Sequence, residues 1–224
     1  LQVGGAALDN TRGVVQTGTG ALTLDVASLL NQQGTVSAGT DLAAKVGGDL
    51  NNSGLLYAGR DQRLIIGGTL GNRGSLAAGR DASVQAGNID SSGLLGAGMR
   101  ADGTLGQTGH LTVTAAQALR ATGQNLAGGD AVLEGAVLDL TGSQSSAANI
   151  ALRARAGDIL TSQAQVSTAG LLAITANGNN GQALVNAGGQ LSAGQLALAV
   201  ANVRNMKGAI VQSGAGNTVI DTGV

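Results

Sequence analysis

Apolar residues in this chain keep a fixed phase inside a segment, and the segment then repeats. From Leu50 to Asn88 the sequence reads LNNSGLLYAGRDQRLIIGGTLGNRGSLAAGRDASVQAGN, which states nearly the same pattern twice. Leu30, Leu50, Leu70 and Ile89 each stand four residues before a glycine, and Val36, Leu56, Leu76 and Leu95 stand two after it. A third set alternates. Ala44 and Val46, Leu64 and Ile66, Val84 and Ala86 flank Lys45, Ile65 and Gln85. Alternation with period two sends successive side chains to opposite faces of a strand. The pattern therefore predicts three short strands per repeat, each with one face inward, joined by glycine-rich corners.

The repeated unit is G-x-[VL]-x-[AT]-G. It reads GVVQTG at Gly13, GTVSAG at Gly34, GLLYAG at Gly54, GSLAAG at Gly74, GLLGAG at Gly93 and GQLSAG at Gly189. Degenerate copies read QNLAGG from Gln124, GSQSSA from Gly142, AQVSTA from Ala164 and AIVQSG from Ala209. A period of about 19–20 residues lies in the solenoid range. Helical repeats fail on glycine, which costs a helix about 1 kcal/mol per residue against alanine. The leucine-rich spacing does not recur. The expected fold is all-β: a right-handed parallel β-helix running through residues 1–224 as one continuous segment. Inward Leu64→Asp should therefore be ruinous and outward Gln85→Lys harmless.

Composition sharpens this reading. There are 39 glycines, no proline, no cysteine, no phenylalanine or tryptophan, and one tyrosine, Tyr57. A proline inside a strand bonded on both sides would break the ladder. A narrow interior suits Ala38, Ala58 and Ala78 and excludes rings. Corner glycines are expected to supply positive φ angles. One buried Leu contributes about 1.5–3 kcal/mol, while ordering each residue costs about 1–2 kcal/mol. A single turn is thus unstable alone and only stacking makes the sum favourable.

A net charge of −1 lacks the basic footprint of a nucleic-acid binder. No apolar run spans a bilayer as a helix, and a membrane barrel would want aromatic girdles. The start, LQVGGAALDN, has neither a basic-then-apolar leader nor an initiator methionine. It reads as an internal piece of a much longer chain, whose uncapped strand edges would favour end-to-end self-association.

Candidate chemistry is sparse. Asp41, Asp61 and Asp81 recur in one column beside Arg60 and Arg80. Recurrence favours turn residues over a catalytic pair. Asn10, Asn31, Asn51 and Asn205, with Asn52 and Asn72 beside them, read as stacked amides. His110 stands alone, no calcium-binding nonapeptide or phosphate loop is present, and no cofactor or metal is expected. The period breaks over Met99–Gln117, where HLTVTA could form an extra hairpin on the rod, and over NGNNGQA, Asn177–Ala183. Insertions in solenoids map to loops, often on a binding face. Arg100, Asp102, His110, Asn179 and Asn180 are the expected partner-contact residues.

The series L-x-N-x-G-x-L-x-A-G-x-D-L-x-L-x-x-G-G, clearest over Leu30–Asn88, resembles the haemagglutinin repeat of large two-partner-secreted exoproteins. The A-G-x-D corner is lost at Met99–Gln117 and Gly142–Ala183, and the N-P-N-G motif of the family's secretion domain is absent. The resemblance implies long right-handed β-helical filaments that cross the outer membrane through a transporter and act outside the cell or on its surface. It implies either a filamentous-haemagglutinin-like adhesive rod that meets a host or bacterial receptor or glycan, or the stalk of a contact-dependent growth-inhibition toxin. A β-helical polysaccharide-acting enzyme is the reading from another class; no enzymatic activity is expected.

The column assignment is directly testable by denaturant titration. Leu64→Asp buries an unpaired charge and should cost more than about 4 kcal/mol, whereas Gln85→Lys should stay within about 0.5 kcal/mol. Equal midpoints would refute the assignment.

Overall fold

The structure is a computed structural model that describes residues 1–176 and 182–221. All regular structure in it is β, and the described strands pair into a solenoid of about eleven turns. Each interior strand bonds in parallel to the turn before and the turn after. Leu22–Asn31 pairs with Gln2–Asp9 on one side and with Leu42–Val46 and Leu50–Asn52 on the other. Among the described residues the single antiparallel contact is an isolated bridge between Met99 and Leu105.

Alternation explains the interior. Leu24, Ala44, Leu64, Val84, Val113, Leu133, Leu152, Ile174 and Leu198 stack in register, and all are buried. Lys45, Ile65 and Gln85, between them in sequence, point outward and are exposed. Ala38, Ala58, Ala78, Ala97 and Ala127 make a second, slimmer buried column.

A third buried column is polar. Asn10, Asn31, Asn52 and Asn72 lie one above another and are at most 5% exposed. Each amide nitrogen donates to the next residue's side-chain oxygen, at 2.8, 2.8 and 2.9 Å, and Asn72 ends the run on the Ser91 hydroxyl at 3.0 Å. The second amide proton reaches a strand carbonyl of the following turn: Thr35, Leu55, Ser75 or Leu94. The predicted amide stack is therefore real, but its member is Asn52. Asn51 is the exposed neighbour, paired with Leu30 and Gly71.

That shift has a local cause. Two corner types follow the asparagine column. The shorter is Asn52-Ser53-Gly54; the longer is Asn31-Gln32-Gln33-Gly34, with Gln33 left-handed at φ 55°. Arg12 (φ 56°), Gln163 (φ 57°) and Lys207 (φ 56°) mark the same longer corner. Counting back four residues from the glycine thus finds Leu50, which is inward, but Leu30, which is not. Leu29 is the buried residue, paired with Leu50.

The same one-residue slip affects three degenerate copies. Gln124 aligns with Leu94, so Asn125 occupies the inward position under Leu95 while Leu126 faces out. Gln144 aligns with Gln124, which puts Ser145 inward rather than Gln144. Ile210 faces in with Leu191, leaving Val211 exposed.

The corner glycines serve a purpose other than the expected one. None of Gly34, Gly54, Gly74 and Gly93 has positive φ; that conformation belongs to Gly98, Gly103, Gly109, Gly142 and Gly188. A Cβ on Gly54 would instead lie well inside van der Waals contact of the Gly34 carbonyl oxygen, and one on Gly74 would meet Gly54 likewise. Stacked backbones approach too closely there for any side chain.

Turn length varies more than 19–20 residues. It is 21 from Asn31 to Asn52 and 19 from Asn72 to Ser91, and the turn holding the insertion spans 30 between Asn88 and Ala118. HLTVTA is not a separate hairpin. Leu111–Ala115 is a rod strand, paired with Ala82–Ser91 below and Ala131–Gly135 above. The surplus is the loop of residues 99–109. The turn from Thr161 to Asn186 spans 25 residues. It contains residues 177–181, so Asn179 and Asn180 lie outside the described residues.

Two substitutions probe these contacts by urea unfolding. Gly54→Ala should destabilise by about 1–3 kcal/mol, as overpacking does. Asn52→Ala strands the Asn31 amide and the Asn72 oxygen and should cost about 2 kcal/mol or more, while Asn51→Ala should stay within about 0.5 kcal/mol.

Candidate functional site

The densest polar feature is the corner column that opens the strands Leu42–Val46, Gln62–Asn72, Ala82–Ser91 and Leu111–Ala115. Register places Asp41, Asp61, Asp81, His110, Asp130 and Asn149 one per turn. Like charges stacked in register would repel. Arg60 and Arg80 resolve this by reaching back one turn. Arg60 Nε donates to Asp41 Oδ1 at 2.7 Å and its Nη2 to Oδ2. Arg80 grips Asp61 in the same bidentate way. Weaker approaches of 3.9 Å from Arg60 to Asp61 and 3.6 Å from Arg80 to Asp81 complete a zigzag.

These carboxylates are held for structure. The Arg60 hydrogen bond keeps Asp41 below its ordinary range, and Arg80 does the same for Asp61. A general acid needs the opposite shift. Each carboxylate also accepts from the backbone N–H of the turn above: Asp61 N–H to Asp41 at 3.3 Å, Asp81 N–H to Asp61 at 3.4 Å, His110 N–H to Asp81 at 2.8 Å. The series continues with mixed acceptors, among them the Asp130 carboxylate, which accepts from the Asn149 side-chain amide at 2.7 Å. His110 Nδ1 accepts from the Asp130 N–H at 3.1 Å, and Asn149 Oδ1 from the Leu171 N–H at 2.8 Å. His110 thus belongs to this column and substitutes for an aspartate; sequence spacing had grouped it with the insertion. The A-G-x-D phase could have found it, since His110 precedes Leu111 as Asp81 precedes Ala82.

Arg100 and Asp102 do share the inserted loop, and both are exposed. Asp102 Oδ1 accepts from the Thr104 hydroxyl at 2.6 Å and amide at 2.9 Å. Those bonds hold its carboxyl below the ordinary range, the hydroxyl contributing most. The loop leaves and rejoins the rod at Gly98 (φ 74°) and Gly109 (φ 113°). Met99 folds back over Gly96 and is buried, and the Tyr57 hydroxyl donates to the Met99 carbonyl at 3.5 Å. Tyr57 faces out, half-buried against this loop.

No group of three or more histidine, cysteine, aspartate or glutamate side chains able to hold a metal occurs among the described residues. A concavity of about 630 Å³ lies among Leu196, Leu198, Val203, Ile210 and Ile220. It is the apolar interior viewed end-on at the last described turns. No described helix is long and apolar enough to cross a membrane.

Comparison with known proteins agrees with this architecture. The haemagglutinin-repeat family model matches residues 1–29 and 17–74. The chain is 39% identical over 121 residues to the Toxin CdiA of Yersinia pestis, which covers 54% of this chain and 4% of that protein. It is 43% identical over 61 residues to the tRNA nuclease CdiA-2 of Burkholderia pseudomallei (strain 1026b), covering 27% of this chain and 2% of that protein. The chain therefore spans a few per cent of the length of these curated relatives. No solved structure matches. Repeat phase, stacked parallel strands and these matches together support a haemagglutinin-repeat region of the kind carried by two-partner-secreted exoproteins, matched directly over residues 1–74.

Proposed function

We propose that this segment is a length of stalk, a rod that sets the distance between functional parts of a large secreted exoprotein. The observation that supports it is continuity. Among the described residues parallel pairing extends from Gln2 to Asp221, with local register shifts between Ala86 and Asn88 and between Thr168 and Leu171, and it is broken by neither the insertion nor the change in corner type. Eleven or so turns at about 4.8 Å each give roughly 50 Å of reach.

Of the two stalk readings, the relatives' names favour a toxin-bearing exoprotein over a purely adhesive one. On this reading, chemistry resides in another part of the parent protein, an outer-membrane transporter exports it, and the rod stands on the bacterial surface. The inserted loop, with Arg100 and Asp102 at its tip, is the proposed place for lateral contact with a receptor. The apolar ends are proposed to be met by adjoining turns, or by a second copy.

Turn excision tests the stalk. Removing residues 34–53 takes out one full turn, joining Gln33 to Gly54, another corner glycine of the same column. The parent exoprotein should remain exported and shorten by about 4.8 Å, measured by electron microscopy of end-labelled filaments. Removing residues 34–43 takes out half a turn, so the joined segment cannot lie in register on its neighbours, and the urea midpoint should fall sharply relative to the full-turn deletion. Equal tolerance of both deletions would refute the reading.

A further inference from the structure

Amides inside this rod are spent; a set outside is not. Gln124, Gln144, Gln165 and Gln190 stack in register on one outer face, one per turn, and all are exposed. Two residues further along three of these strands, Ser146, Ser167 and Ser192 form a parallel exposed column, bounded in register by Leu126 on one side and Val211 on the other. None of these seven side chains hydrogen-bonds to another described residue, in contrast to the asparagine column, where every amide proton of Asn10, Asn31, Asn52 and Asn72 has an acceptor.

The surroundings of this strip are equally specific. It carries no charged side chain, and its rim on the following corner is Ala148, Gly170 and Gly194. The arginine–aspartate zigzag ends at Arg80 and Asp81, and the next carboxylate of that corner column, Asp130, accepts from the Asn149 amide at 2.7 Å. The face is exposed, and it offers paired amide and hydroxyl groups at about 4.8 Å intervals.

We propose that this strip is a docking surface for an uncharged, hydroxyl-rich glycan chain lying along the rod axis. The interval is close to the advance of one pyranose unit in an extended polysaccharide, so each sugar meets one turn, and in a β-1,4-linked chain, whose units turn over alternately, the same sugar face recurs at every second turn. Each glutamine offers a donor and an acceptor, and each serine both, which matches sugar hydroxyls. Lack of charge argues against anionic glycans and nucleic acid, which need basic contacts. A protein partner, or a second copy, would want an apolar patch at the centre of the interface, and from Gln144 to Ser192 the outward side chains of this face are glutamine and serine. Single contacts of this kind are weak; repetition in register supplies avidity. The proposal goes beyond the stalk reading and does not depend on it.

The test uses the 224-residue chain with cellohexaose, mannohexaose, chitohexaose and heparin as probes in microscale thermophoresis, at low and high salt. At least one neutral hexasaccharide should bind, without salt dependence, and heparin should not. The triple variant Gln144→Ala, Gln165→Ala, Gln190→Ala should weaken binding about tenfold or more with an unchanged melting curve, while Gln85→Ala on another face should bind as the parent. Three outcomes overturn the proposal: no neutral glycan bound, binding that the triple variant retains, or a strip substitution that alters sedimentation instead, which would make the strip an interface between copies. The turn-excision result stands or falls separately.

Discussion

Every feature of this protein follows from one constraint: the backbone of each turn is the floor on which the next is laid, about 4.8 Å above. A residue type acceptable at one level must be acceptable directly on top of itself. At Gly54 and Gly74, where a Cβ would run into the carbonyl oxygen below, glycine satisfies that demand, and only at the later levels of Ser143 and Ala164 does the same corner admit a side chain. Proline, absent from the sequence, fails it in any strand bonded on both sides. Aspartate passes at Asp41, Asp61 and Asp81 because arginines reaching back one turn separate the charges. Exposed pairs of this kind add little net stability, so their role is to make stacking tolerable more than to drive it.

Stacking also permits what an ordinary core resists, a buried column of amides. A lone buried asparagine leaves groups unpaired at a cost of about 1–3 kcal/mol each. In a stack, the neighbour above supplies the missing partner, and the unsatisfied remainder is confined to the ends. The column is not uniform. Ala121 and Leu140 replace asparagine at two successive levels. At those levels the polar residues move to the adjoining inward column, as Asn125 and Ser145, with the Asn125 amide on the Ser145 hydroxyl at 3.1 Å. Asn125 Oδ1 is left buried without a partner. The polar interior is displaced sideways there rather than lost.

Fold and core were largely legible in the sequence because both rest on period-two alternation and a repeated glycine, which are properties of the chain itself. What sequence missed turned on single residues. Leu29 was hidden by the extra left-handed corner residue Gln33, a conformation that leaves no apolar signature. Asn125 was misplaced because Leu126 beside it is the better hydrophobe, and only the register with Leu95 decides between them. His110 looked solitary until the Asp81 and Asp130 columns enclosed it. The candidate surface was least legible. The glutamines were visible as letters, but that four of them share one face depends on turn lengths that vary from 19 to 30 residues.

The division between inside and outside also bears on stiffness. Bending a rod bonded on three sides must lengthen N–H···O contacts on at least one of them, and parallel ladders on all three faces resist in every direction. A weak joint would require the backbone pairing to lapse. It does not lapse where the asparagine column does: Ala118–Ala121 still pairs with Val137–Asp139, and Gln124–Ala127 with Gln144–Ala147. Nor does it lapse at the insertion, whose strands Ala82–Ser91 and Leu111–Ala115 close over the loop in register. Side-chain order and backbone order are separable in this fold. The first can change from level to level, and with it the surface on offer, while the second, among the described residues, carries length from turn to turn.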